Sequence, residues 1–381
     1  MLNSTKLLFL ILLFSINVAF AQNDSAYKRK NPFACSVTLD YGRVITNNPV
    51  FPPITNNSYS IELNFNRQTT GTETWQPLHN YPRFGGELIY TSIGNPKVFG
   101  DAFGVLPTLQ YTFSKKNRFR WYYELGTGLA YITKPFNLVT NPENNVTGSD
   151  INEVVVLRIG YEFAISRESL LSPSITFIHY SNGSARDPNL GLNIYSIGIT
   201  YRFRDHEKTP LTPTRKQFRD SLPPLSKGLH IQALAGIGFE GWTVAGGPEY
   251  HVYIANFSLV KYINHKNKIS IGIDESYNIG GLDYIRQEEI RVAGSPQYAA
   301  SGTAVFVGYE WLYGHIGLAV HLGPYLKVPF EATSKIFENM GIQYYIFNPI
   351  THTGSNLFIG AHVQTYFGQA MYDDACLGVT F

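Results

Sequence analysis

The feature that most constrains this chain is a two-residue alternation of apolar and polar side chains. It recurs in short runs separated by segments rich in Gly, Pro and Asn. Successive side chains on a strand point to opposite faces, so such runs read as half-buried strands. Phe33–Tyr41 and Tyr59–Phe65 alternate well, with Ser60, Glu62 and Asn64 as a polar set, and Gly86–Thr91 alternates more weakly. Phe103–Phe113, Phe119–Tyr131 and Ile151–Phe163 follow; in the last, Val155, Leu157 and Ile159 oppose Asn152, Arg158 and Gly160. Two more strands, one through His179 and one from Asn193 to Phe203, complete a first set of roughly eight. Asp205–Lys227 breaks the pattern with Pro, Thr, Lys and Arg. The alternation then resumes in Leu229–Gly238, His251–Val260, Ile269–Ile279, Thr303–Tyr309, His315–Leu322, Gly341–Phe347, Leu357–Phe367 and Ala375–Phe381, again roughly eight.

Composition decides what kind of sheet this is. Beyond the N-terminus no stretch of about 18 apolar residues could cross a bilayer as a helix. Aromatic residues make up 14% of the chain and charged residues only 15%, against about 25% charged in ordinary globular chains. A weakly charged, Tyr-, Phe- and Gly-rich chain of alternating strands suits an outer-membrane barrel. A secreted β-sandwich shares the alternation but rarely carries aromatics at so many outward positions. The start of the chain agrees: Lys6, an apolar run Leu7–Phe14, then Ala19-Phe20-Ala21 read as a secretory signal peptide over residues 1–21. Residues 22–32 read as a polar periplasmic lead-in. The terminal Phe381 on an alternating strand resembles the signal that outer-membrane assembly machinery recognises, which makes that machinery an expected partner.

The expected architecture is all-β: two tandem transmembrane antiparallel barrels of about eight strands, over 33–204 and 228–381, joined by a periplasmic linker at 205–227. One barrel of about sixteen strands is the alternative. The polar face carries both signs, Arg120, Glu124, Arg158, Glu162 and Arg202. A narrow barrel is filled with side chains and buried charges persist only when paired, so these residues read as a lumen salt-bridge network. A formal charge of +2 without a basic, aromatic-interleaved cluster gives no sign of nucleic acid as a partner.

Cys35 shares a face with Val37 and Leu39, and Cys376 with Gly378 and Thr380, so two free buried thiols are expected rather than a disulfide. His315, His321 and His362 fall on polar faces. With no carboxylate or Cys beside them at ligand spacing, they read as lumen hydrogen-bonding groups rather than metal ligands. Neither a phosphate loop nor a zinc or calcium motif is present, so no cofactor and no metal is expected.

The chemistry concentrates between Phe177 and Asn193. His179 and Ser181 are two apart, so on a strand they project to one side with Ile175 and Phe177. Asn193 heads the apolar face of the next strand, with Tyr195 and Ile197. A base, a hydroxyl and an amide therefore meet on the greasy face at the top of two strands. Such a group can cleave an ester: Ser181 as nucleophile, His179 as a mostly neutral general base, and the backbone N–H groups of Asn182 and Gly183 as oxyanion donors. Gly183 would let the backbone turn close to the substrate.

The string His179-Tyr-Ser-Asn-Gly183, the Pro188-Asn189 loop and the strand ending Tyr201-Arg-Phe203 resemble the outer-membrane lipid A 3-O-deacylase (PagL) family. Tyr131-Ile-Thr-Lys-Pro-Phe136 and Asn141-Pro142 resemble members labelled acyloxyacyl hydrolases. The resemblance spans roughly Phe33 to Phe203. It implies an outer-membrane serine esterase that removes an ester-linked acyl chain from lipid A, with lipopolysaccharide and the outer-membrane bilayer as partners. The family's catalytic Glu falls where this chain has Asn193. Glu153, on an apolar position near the outer end of the preceding strand, is read as supplying the missing carboxylate, with Asp187 a further candidate. Asn193 also favours the competing reading, a degenerate barrel that binds lipid or another protein. A porin would require one wide barrel.

Overall fold

The computed structural model describes residues 33–113, 119–166, 168–204, 222–241, 245–330, 332, 334–352 and 354–381. The expected signal peptide, the lead-in and residues 205–221 of the expected linker lie outside the described residues.

The alternating runs form two closed antiparallel barrels of eight strands each, so the single sixteen-strand alternative is set aside. The first comprises β1 (Phe33–Ile45), β2 (Ser58–Gln68), β3 (Arg83–Ser92), β4 (Asp101–Thr112), β5 (Phe119–Ile132), β6 (Ile151–Ala164), β7 (Ser169–Ser181) and β8 (Leu192–Arg204). It closes by pairing β1 with β8, Cys35 opposite Phe203 and Tyr41 opposite Ile197. The second comprises β9 (His230–Gly241), β10 (Glu249–Asn264), β11 (Asn267–Asn278), β12 (Ser301–Tyr313), β13 (Ile316–Lys327), β14 (Ile336–Tyr345), β15 (Asn356–Tyr366) and β16 (Gln369–Thr380). It closes by pairing β16 with β9, Cys376 opposite Gly236. Closure leaves no strand edge unpaired, the condition for a sheet to cross a bilayer.

The two faces follow the alternation. Leu39, Tyr41, Leu157, Ile159, Ile175 and Ile197 point outward and are exposed, whereas Thr38, Asp40, Arg158, Gly160, Thr176 and Ser196 line the interior. The first lumen is filled in layers. At its outer end Val44, Ile89, Leu106, Val154, Ile178 and Leu192 form an apolar plug, joined from the loops by Phe51, Ile93, Phe99 and Val146. Below it the Arg158 guanidinium sits among four carboxylates: Glu124 at 2.5 Å, Asp40 at 3.4 Å, Glu87 at 3.8 Å, and Glu62. The next layer inverts the signs, with Glu162 held by Arg202 at 2.5 Å, Arg83 at 2.6 Å and Arg120 at 3.2 Å. The expected lumen network is present, and a lumen so filled is no diffusion pore.

The second lumen carries the Lys268–Glu310 pair at 2.9 Å, with Tyr345 bonded to both. Two details depart from the sequence reading. His315 lies in the turn before β13, its Nδ1 2.8 Å from the Tyr345 carbonyl, and so is no lumen group. Both cysteines are free, but Cys35 on the outward face is only half-buried.

The barrels touch at both ends. Between β2 and β3, the short helix α1 (Trp75–Leu78) and His79 reach the β12–β13 turn. His79 Nε2 lies 2.8 Å from the Leu312 carbonyl and its ring stacks on Tyr313 at 4.2 Å. Burial pushes this imidazole down to about 4, so it serves the contact as a neutral ring. At the outer end, the Gly241 N–H donates to the Ser184 carbonyl at 2.6 Å and the Gly246 N–H to that of Asp187 at 3.2 Å.

Arg158 is the one cation among four buried acids, and removing it strands them. Arg158→Met is expected to cost about 3–5 kcal/mol, read as a lower urea midpoint for unfolding in detergent. A midpoint within error of the parent would show that the network is dispensable.

Candidate active site

The site is built by strand register. Glu153 on β6 lies directly opposite Ser181 on β7, and His179 on β7 directly opposite Asn193 on β8. Residues directly opposite share a face, so all four project outward near the outer ends of their strands. Their neighbours Val154, Ile178, Tyr180 and Leu192 are fully buried in the lumen. Tyr180 is fixed there by its hydroxyl, 2.8 Å from Thr91 Oγ1. Inward anchoring of these alternate residues holds the outward set in place.

His179 Nδ1 lies 2.8 Å from Asn193 Oδ1. With the amide oxygen turned to the ring, it can only accept, so Nδ1 carries the proton and Nε2 keeps its lone pair. A triad carboxylate selects the same tautomer. Glu153 is not hydrogen-bonded to His179: its register partner is the serine, and the imidazole belongs to Asn193. No hydrogen bond joins Ser181 to His179. Beneath the imidazole, Phe177 stacks near His179 with centroids 6.4 Å apart and meets Tyr195 at 4.8 Å. Tyr195 and Ile197 remain exposed, an apolar track leading from the site down β8.

The 182–191 loop corrects one expectation. The Asn182 N–H, expected as an oxyanion donor, is donated to Asn189 Oδ1 at 3.1 Å. Its side-chain amide donates to the Arg186 carbonyl at 2.7 Å and to Ser149 Oγ at 3.1 Å. Asn182 thus shapes the loop, which leaves the Gly183 N–H as the candidate donor. Gly183 adopts φ +61°, a left-handed conformation favouring glycine. A Cβ there would also overlap the carboxylate of Asp373, which arrives from β16 of the second barrel. Ser181 is therefore 9% exposed and Asn182 5% exposed, sheltered in a seam between barrels rather than open to the bilayer on every side. Asp187 faces the same seam: its carbonyl meets Gly246, and burial pushes its carboxyl up.

Sequence reasoning placed His179, Ser181, Asn193 and Glu153 on one face but missed Asn189 and Asp373. Asn189 sits in a recognisable turn sequence, whereas Asp373 belongs to another barrel and gives no local signal. A second expectation is overturned in the second barrel, where His362 does have a carboxylate and a thiol beside it, Asp374 and Cys376.

Comparison with known proteins bears on what this geometry serves. Residues 59–202 match the family described as lipid A 3-O-deacylase (PagL). Most of the first barrel is therefore similar to that family. Residues 229–381 match the family described as acyloxyacyl hydrolase, C-terminal domain. Among solved structures, the outer-membrane enzyme PagL aligns at 19% identity, with 44% of this chain and 98% of that chain covered and a TM-score of 0.33. Neisserial surface protein A aligns at 9% identity, with 45% and 96% covered and a TM-score of 0.32. No curated protein sequence matches the chain. The two closed barrels with apolar outward faces make this an outer-membrane β-barrel protein whose first barrel is similar to the lipid A 3-O-deacylase family.

The seam yields a direct test. Gly183→Ala is expected to destabilise the parent more than it destabilises an Asp373→Gly variant, because only the parent has a carboxylate in the way. A double-mutant cycle on thermal unfolding should return a coupling of about 0.5–3 kcal/mol; additive effects would place Asp373 away from Gly183.

Proposed function

We propose that the first barrel is a serine esterase that hydrolyses an ester-linked acyl chain of lipid A, with Ser181 as nucleophile, His179 as general base and Asn193 as the group that orients the base. The 2.8 Å contact between His179 Nδ1 and Asn193 Oδ1 carries this reading. It leaves Nε2 as proton acceptor on the face that bears Ser181, two residues along the strand.

The reaction runs in two halves. Nε2 takes the Ser181 proton as Oγ attacks the acyl carbonyl, and the Gly183 N–H donates to the developing oxyanion. The imidazolium then returns its proton to the sugar alkoxide, which leaves as the alcohol, and water releases the fatty acid by the same steps reversed. The exposed track of Tyr195 and Ile197 suits the departing acyl chain. Its outward aspect fits an ester held in the membrane rather than one dissolved in the lumen.

Asn193 sets the rate. An amide holds the tautomer but does not balance the imidazolium charge as a carboxylate does; that exchange costs about 10⁴ in a Ser-His-Asp triad. A slow esterase is the result, with Glu153 near enough to Ser181 to act on the serine side of the site.

The test is mass spectrometry of lipid A incubated with purified protein. Loss of one acyl chain is expected with the parent and not with Ser181→Ala or His179→Ala. Asn193→Asp, nearly isosteric, should raise the rate, whereas Asn193→Ala should lower it. Unchanged lipid A with both the parent and Asn193→Asp would favour the binding scaffold.

A further inference from the structure

We propose that the lumen of the second barrel binds one divalent ion of the zinc type through His362 Nδ1, an Asp374 carboxylate oxygen and Cys376 Sγ. Register assembles the three. Asp374 and Cys376 are two apart on β16, so they share its inward face, and His362 on β15 lies directly opposite Asp374. All three are buried and their ligand atoms lie within 4.8 Å of one another.

The geometry suits a tetrahedral ion. Zinc takes thiolate at about 2.3 Å and imidazole or carboxylate at about 2.0–2.2 Å, which gives ligand-to-ligand edges of about 3.3–3.7 Å. His362 Nδ1 is 3.2 Å from Asp374 Oδ1 and 3.7 Å from Cys376 Sγ. The surrounding positions leave room. Cys376 is flanked across both strand pairings by glycine, Gly360 and Gly236. A Cβ at Gly360 would lie 2.9 Å from the sulfur, and one at Gly236 3.4 Å from Asp374 Oδ1. A three-residue site of this kind keeps a fourth position for water.

Charge points the same way. Asp274, buried on the inward face of β11 and within electrostatic reach of Asp374 and His362, is bonded to the Asn256 amide at 3.0 Å. It has no ion-pair partner among the described residues. Buried carboxylates are normally paired or coordinate metals, and a bound cation would serve Asp274 and Asp374 together. Gln343 Nε2 lies 3.4 Å from His362 Nε2; turning that amide over offers its oxygen to the Nε2–H of a metal-bound imidazole, the usual outer support of such a ligand. Binding releases the Cys376 thiol proton to solvent and moves the single imidazole proton of His362 from Nδ1 to Nε2. The ion would tie β15 to β16, the strand that also presents Asp373 to the first barrel.

The experiment uses the folded full chain in detergent, with Cys35→Ser so that Cys376 is the one thiol, stripped with chelator and titrated with Co²⁺. One equivalent is expected to bind with a thiolate-to-cobalt charge-transfer band that Zn²⁺ displaces and Cys376→Ser abolishes. His362→Ala and Asp374→Asn should each weaken binding by more than about tenfold, scored on protein that keeps the heat-modifiable mobility of a folded barrel. If those variants fail to fold, the chain bearing only Cys35→Ser still decides: Zn²⁺ should slow alkylation of Cys376. No charge-transfer band, Co²⁺ binding indifferent to His362 and Asp374, or an alkylation rate unchanged by Zn²⁺ would overturn the proposal.

Discussion

Each barrel closes around charges that cannot stand alone in a low-dielectric interior. In the first, one guanidinium meets four carboxylates and, a layer below, one carboxylate meets three guanidinium groups. The acid-rich layer and the cation-rich layer face each other along the lumen. This inward placement of charge leaves the outward face to Leu, Ile, Tyr and Phe, as the hydrocarbon requires. A base, a hydroxyl, an amide and a carboxylate at the outer ends of β6–β8 then depart from the apolar rule, and that departure marks the site.

Much of this was legible beforehand because a barrel is a periodic object. Alternation located all sixteen strands, and the same parity put Arg158 inside and His179 outside. The gap in alternation after Phe203 marked the division between barrels. What parity cannot supply is anything set by loops or by the meeting of two sheets. Asn182 loses its donor role because Asn189 folds back onto it, a contact within an irregular loop. Asp373 reaches Gly183 from a strand nearly 200 positions away. The companions of His362 were hidden for a similar reason: their spacing is regular along β16 but becomes a cluster only once the β15–β16 register is known.

The second barrel bears on the reading of the first. It shelters Ser181 and Asn182 and sets a carboxylate against the glycine that must remain glycine. In the proposed esterase a substrate ester would approach from the β7–β8 side, along Tyr195, rather than from the Glu153 side that faces the seam. In the proposed mechanism Asn193 holds the imidazole in its working tautomer, and the cost of an amide falls on turnover rather than on geometry.

The proposed esterase stands on Ser181 acting as a nucleophile activated by His179 on the outward face of the barrel. Reaction of the purified protein with a long-chain alkyl fluorophosphonate, followed by mass mapping of the modified peptide, tests it most directly. One adduct is expected, on Ser181, lost in His179→Ala and formed faster by a long alkyl chain than by a short, water-soluble one. An adduct on a different serine, or none on Ser181 while the protein deacylates lipid A, would contradict it.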